Sequence, residues 1–174
     1  MQILQTSRLL LREFSAEDVD ALAKVLSDAE TMRYYPDACD RAGVEQWIVR
    51  NRQRYEIDGA GLWAMELIET GELIGDCGIV RQEVDGDELY EIGYHLRRDR
   101  WGHGYATEAA SACRDWAFAH LQADRLVSLI RPENLPSLRV AERIGMKFWK
   151  EVTWHGLPHH VYAVLHSERE VSRY

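Results

Sequence analysis

The chain has 174 residues, 46% of them hydrophobic, with 29 acidic against 21 basic side chains and a formal net charge of −8. That balance describes one globular domain over residues 1–174 and argues against a general nucleic-acid binder, which needs clustered Lys and Arg to neutralise phosphates. No apolar run approaches membrane-spanning length and no apolar leader follows the N-terminus, so no membrane partner and a cytoplasmic location are expected.

In chain order, a strand is expected over residues 7–14 (SRLLLREF), where apolar and charged positions interleave. Ser15 then supplies an N-cap, and Val19, Leu22, Ala23 and Leu26 recur at helical spacing. A second helix covers 41–57, with Val44, Trp47, Ile48 and Tyr55 inward. Three strands at hairpin spacing follow, 62–69, 72–82 and 88–96, turned by Thr70-Gly71 and by Asp85-Gly86-Asp87. Next comes the turn RWGHGYATEA (100–109), and then a helix whose inward stripe is Ala106, Ala109, Ala110, Cys113, Trp116 and Ala117.

A short apolar strand covers 125–130. Asn134-Leu135-Pro136-Ser137 opens another helix, stopped at Gly145. The last two strands, 147–154 and 159–165, pair across His155-Gly156-Leu157-Pro158. The order βααβββαβαββ is a mixed α/β sheet flanked by helices, with a parallel pair around the glycine turn. Cys39, Cys77 and Cys113 are odd in number and widely spaced, which fits reduced packing residues.

A strand entering a helix through Gly102-x-Gly104 presents unpaired amides at a positive helix end, an anion site in readiness. An isolated G-x-G is also a plain tight turn packing helix on sheet. A phosphate-binding P-loop would need a following Lys, which is missing. A dinucleotide site would need a third glycine at position 107 and an acid closing the next strand; Thr107 stands there, and Asp124 precedes that strand.

The flanking residues discriminate further. RDRWGHGYATEA (98–109) resembles the acyl-CoA-binding turn of the GNAT acetyltransferase superfamily, whose core pattern is Q/R-x-x-G-x-G/A. TSRLLLREF (6–14) and ENLPSLRVAERIGMKF (133–148) resemble the branch that holds the RimJ- and RimL-type N-terminal acetyltransferases of ribosomal proteins. The first motif position departs from the pattern: it is Asp99, between Arg98 and Arg100.

The resemblance implies a GNAT fold, acetyl-CoA as co-substrate, and acetyl transfer to a primary amine, either a protein N-terminus or a small amine. It implies that the backbone from Trp101 through Gly102, His103, Gly104, Tyr105, Ala106 and Thr107 holds the pyrophosphate, with Arg98, Arg100 or His103 adding charge at the rim. The strand end Tyr94-His95-Leu96 would pair its backbone with the pantetheine arm, and an N–H there would serve a developing oxyanion.

The amine must lose a proton before attack. The resemblance, which often places a glutamate on this strand, makes Glu91 the first candidate base, with His95 (same strand face, i+4) the alternative and Glu66 a third. Ser137 is the implied acid to the thiolate, and Asn134 would orient the pantetheine or a water, although both are also good helix-start residues. The histidine-bearing segment 154–160 lacks a Cys, Asp or Glu at ligand spacing, so no metal is expected. That hairpin, with Trp63, Tyr34 and Tyr35, is expected to border the acceptor pocket. A monomer or a homodimer would suit Trp149 and Trp154 on an edge. A non-catalytic acyl-CoA-binding module on the same fold is the competing reading.

Overall fold

Ser7 and Arg8 belong to a turn, and the expected strand starts at Leu9. In the computed structural model, which describes residues 1–168, β1 (Gln2–Gln5) folds back antiparallel on β2 (Leu9–Arg12), closed by Thr6 N–H donating to Leu9 O at 2.8 Å. β1 adds a strand to the expected order. With only two apolar residues between glutamines it is too short to display a period.

After a 3₁₀ turn at Ala16–Asp18 come α1 (Val19–Leu26), α2 (Arg41–Asp58), β3 (Leu62–Leu67), β4 (Leu73–Val84) and β5 (Asp87–Leu96). α3 (Tyr105–His120), β6 (Arg125–Ile130), α4 (Leu135–Arg143), β7 (Lys147–Trp154) and β8 (Leu157–Leu165) complete the order. The strands form one sheet in the order β1-β2-β3-β4-β5-β6-β8-β7, antiparallel except for the β5–β6 pair. β8 begins two residues earlier than expected. His155 (φ 48°) and Gly156 (φ 74°) take positive φ and close the β7–β8 hairpin by themselves, as a two-residue turn requires.

Alternation along β3 assigns the two faces. Leu62 and Ala64 pack with α1 and α2, whereas Trp63 and Met65 pack with α3 and α4. Arg12 ties β2 to the 3₁₀ turn and to β3, donating to both Asp18 carboxylate oxygens at 2.8 Å and to Glu66 at 2.9 Å. Asn51, fully buried on α2, accepts Leu62 N–H at 2.9 Å and so fixes the helix against the start of β3.

One join in this sheet is unlike the rest. β5 and β6 pair only at Tyr90–Leu126 and Glu91–Val127; β4 follows β5 to Leu96, while β6 has already diverged. Two side chains occupy the widening gap: Ser128 Oγ donates to Ile92 O at 2.8 Å, and Glu91 Oε1 accepts Leu129 N–H at 3.4 Å.

Candidate active site

The divergence of β5 from β6 leaves backbone without a strand partner. The Asp85-Gly86 turn makes Val84–Asp87 the first hydrogen-bonded pair, so residues 91, 93 and 95 direct their N–H and C=O toward β4. The N–H and C=O of Tyr94 and the N–H of Leu96 therefore face the opening. Leu96 O is taken by Trp101 Nε1 at 2.7 Å, which draws the following turn against the strand end.

That turn runs through Gly102 (φ 79°) and Gly104 (φ 80°), both in the left-handed region that disfavours a side chain. A Cβ at Gly102 would meet nothing within 4 Å, so the space before it is open. Gly104 caps α3 with no side-chain acceptor, and the first helical bond is Glu108 N–H to Gly104 O. The amides of Tyr105, Ala106 and Thr107 thus lack a helical partner at the positive end of a 16-residue helix.

The N-terminal turn holds this end in place. Glu108 accepts from Thr6 Oγ1, Ser7 Oγ, Arg8 N–H and Arg8 Nε, and Arg8 also donates to His103 O at 3.0 Å while covering the Tyr105 ring. Burial raises the Glu108 carboxyl, but these donors outweigh it and keep it below the usual range. Asp99, the departure from the motif, pairs with Arg97 at 2.6 Å, and Glu72 accepts from Arg97 and Arg100.

Trp101, Gly102, Gly104, Tyr105, Ala106, Thr107, Tyr94, Leu96, Asn134 and Ser137 line one groove of about 390 Å³. Arg98 and His103 do not: Arg98 is exposed near Asp28, and His103 stacks on Tyr105 outside the groove. The cations along it are Arg33, Arg139 and Arg143. Arg139 and Arg143 are i, i+4 on α4, a spacing readable in LRVAER.

A second groove, of about 500 Å³, opens on the α2 side of the same gap. Its floor is β5, where Gly93 leaves the surface bare between Glu91 and His95. Six residues line both grooves: Tyr34, Tyr35, Tyr94, His95, Asn134 and Ser137. Trp154 and His155 border the second groove, as the hairpin reading expects. Trp63 does not; at 1% exposure it lies in the core, edge-on to Trp116.

Glu91 reaches into this groove, with Oε2 accepting Gln82 Nε2–H at 2.8 Å. Crowding by protein pushes its carboxyl above the usual range, with Gln82, Leu129 N–H, His95 and Arg54 acting against the shift. His95 sits in an array that sequence reading missed. Its Nδ1 lies 2.7 Å from Oδ1 of the fully buried Asp76, and its Nε2 lies 2.7 Å from Tyr35 Oη. Asp76 Oδ2 accepts Trp47 Nε1–H at 2.9 Å.

Crowding by protein drives the Tyr35 phenol well up, so it stays protonated beside Nε2. A carboxylate only accepts, so Nδ1 carries the ring proton. The signal for Asp76 was a lone acid in the apolar run LIGDCGIV. Glu66 is held by Arg12 on the β2 side, outside both grooves. Ser137 N–H donates to Asn134 Oδ1 at 3.3 Å, a helix cap, and Tyr94 Oη donates to Ser137 O at 2.8 Å. Among the described residues, no group of three or more His, Cys, Asp or Glu could hold a metal ion, and no helix is long and apolar enough to cross a membrane.

A family model described as an acetyltransferase (GNAT) domain matches residues 8–147. The chain belongs to the GNAT acetyltransferase family. This GNAT protein is 39% identical to the uncharacterized protein YkkB of Bacillus subtilis (strain 168) over 160 residues, covering 91% of the chain and 93% of YkkB. The crystal structure of an acetyltransferase from Agrobacterium tumefaciens str. C58 superposes with a TM-score of 0.82 at 31% identity, covering 94% of each chain. RimL, a ribosomal L7/L12 α-N-protein acetyltransferase in complex with coenzyme A, shares the fold with a TM-score of 0.78 at 18% identity, over 95% of this chain and 98% of that one. Like its family, this GNAT chain is an acyltransferase.

Proposed function

We propose that this protein transfers an acetyl group from acetyl-CoA directly to a primary amine. The carrying observation is the meeting of two grooves at Tyr94, His95, Asn134 and Ser137. One groove has the donors and cations that suit a pyrophosphate and an amide-bearing arm; the other suits an acceptor.

The fit to acetyl-CoA rests on the open space before Gly102, the uncapped amides at Tyr105–Thr107, Arg139 and Arg143, and the free edge at Tyr94 and Leu96. Bound acetyl-CoA supplies an activated thioester. Glu91 accepts the amine proton, directly or through one groove water, and its raised pKa suits a base working near neutrality. The N–H of Tyr94 or Leu96 stabilises negative charge developing on the acyl oxygen. Ser137, held by Asn134, delivers a proton to the departing sulfur.

The test is thiol release from acetyl-CoA in the presence of amines, with acetyl-CoA binding measured separately. Ser137→Ala is expected to lower kcat by about one to two orders of magnitude, because a thiolate leaves tolerably without an acid; unchanged kcat removes Ser137 from the reaction. Binding with no turnover on any amine would leave a non-catalytic acyl-CoA module instead.

The turn beneath this site gives a second expectation. Glu108→Ala leaves Thr6, Ser7 and Arg8 without their common acceptor on α3, at about 1–3 kcal/mol. The melting temperature should fall and the KM for acetyl-CoA rise severalfold, with kcat little changed. The lowered Glu108 pKa makes its stabilisation full above about pH 5, fading as pH falls through the folded-state value. A variant of normal stability and normal KM would show that the latch does not support the turn.

A further inference from the structure

The acceptor groove carries a charge opposite to that of the protein. The chain is at −8 overall, yet Arg50, Arg54 and Arg131 line this groove against Glu91 alone at its surface, with Asp76 fully buried beneath and already engaged. Trp47, Arg50 and Arg54 follow one stripe of α2 at i, i+3, i+7 and form one wall. Arg131, just beyond β6, stands with the β7–β8 hairpin on the other. His155 and His159 also border the groove; burial, reinforced by Arg131, lowers the His159 pKa, so it adds no charge at neutral pH.

Several arginines elsewhere have carboxylates: Arg8 has Glu108, Arg12 has Asp18 and Glu66, Arg41 has Asp20, and Arg97 and Arg100 share Glu72. Among the described residues, Arg50 and Arg54 have none within 4 Å. Arg54 donates only to Asn51 Oδ1 at 3.3 Å, and Arg50 lies over the Trp47 ring. Arg131 reaches only the exposed Glu133 at 3.5 Å, and its Nε is buried with no hydrogen-bond partner. Burial and the like charge of Arg50 hold the Arg54 pKa below its ordinary value, outweighing the pull of Glu91 and Asp58. In a chain rich in acids, three arginines around one cavity outnumber its single lining carboxylate, Glu91, and leave the groove net positive.

We infer that the amine acceptor carries an anionic group, a carboxylate or a phosphonate, which Arg50, Arg54 and Arg131 receive while its amine is directed toward Glu91 and the junction of the grooves. The inference rests on the acetyl-transfer reading for the amine and adds the chemistry of the acceptor's other end. Guanidinium forks match such oxyanions bidentately. The same cations disfavour an ammonium in the groove, which eases loss of the amine proton and penalises polycationic acceptors such as polyamines.

The experiment compares α-amino acids with their own carboxamides and with spermidine, by thiol release at fixed ionic strength. A panel member bearing the carboxylate should exceed its amide in kcat/KM by about tenfold or more. Arg54→Gln/Arg131→Gln should collapse that preference to within about threefold while leaving the KM for acetyl-CoA unchanged. A parallel measurement needs no turnover: with coenzyme A present, calorimetric binding of the corresponding N-acetylamino acids should weaken tenfold or more in the double variant, and that of their amides should not. Amides or spermidine used as well as the acids, or a carboxylate preference that survives the double substitution, overturns the inference. An absence of turnover on every amine, with selective anion binding intact, would overturn the transferase reading but keep the anion site.

Discussion

Replacing Glu91 by glutamine is expected to lower kcat by about 10²–10⁴ while raising the melting temperature. The activity loss follows from removing the proposed base without changing its shape, since a glutamine oxygen can still accept Leu129 N–H. The stability gain follows from linkage. Burial raises the folded-state pKa of Glu91, so its contribution to stability is fully present below the unfolded value near 4.3 and is lost as pH rises through the raised value. At neutral pH the ionised carboxylate is therefore a burden on the fold, and glutamine relieves it, by about 2–4 °C for a chain of this size. The acid limb of kcat/KM should lie above the ordinary carboxylate range in the wild type and vanish in the variant. Retention of more than about a tenth of wild-type kcat would move the base elsewhere, with His95 next.

Asp76→Asn tests that neighbour. Asparagine can keep Trp47 Nε1–H as a donor but must offer His95 an N–H where the carboxylate offered a lone pair. The ring of the variant must then accept at Nδ1 and carry its proton on Nε2, facing Tyr35 Oη. The expected cost is about 2–4 kcal/mol of stability, from disturbing the hydrogen bonds around a fully buried carboxylate. A fall in kcat of about 10²–10³ is expected if the array sets proton positions at the groove junction. Nitrogen-15 spectra of the imidazole distinguish the tautomers. A tautomer change with kcat intact would make Asp76–His95–Tyr35 a structural array only.

Both residues sit on strands whose existence was legible, yet only Glu91 was legible as chemistry. β4 and β5 announce themselves by a Thr-Gly and an Asp-Gly turn and by β-rich runs, and the glycine turn follows directly. Asp76 acquires meaning only from His95 directly across the ladder and Trp47 twenty-nine positions away on a helix, pairings that no local pattern encodes. The same holds for Thr6-Ser7-Arg8. Read locally it begins a strand; in three dimensions it is a turn bound to Glu108, a hundred positions on. Trp63 shows the opposite error, because an aromatic on a strand facing either layer looks the same until the face is assigned. Arg98 and His103 neighbour the glycines in sequence, whereas the cations lining the groove come from α4 and the segment before α2.

The two-pair seam between β5 and β6 has a mechanical consequence. β1 to β5 form one leaf and β6, β8 and β7 the other, and the backbone ladder binding them is the shortest internal join in the sheet. The line along which we propose that substrates bind is therefore also the line along which the fold can be prised open. Occupants of that seam act as mortar as well as reagents: whatever free energy they gain by binding the closed pair of leaves also holds the leaves together. Resistance to unfolding would then track the supply of substrate around the protein, and the molecule would be most fragile when it has nothing to do.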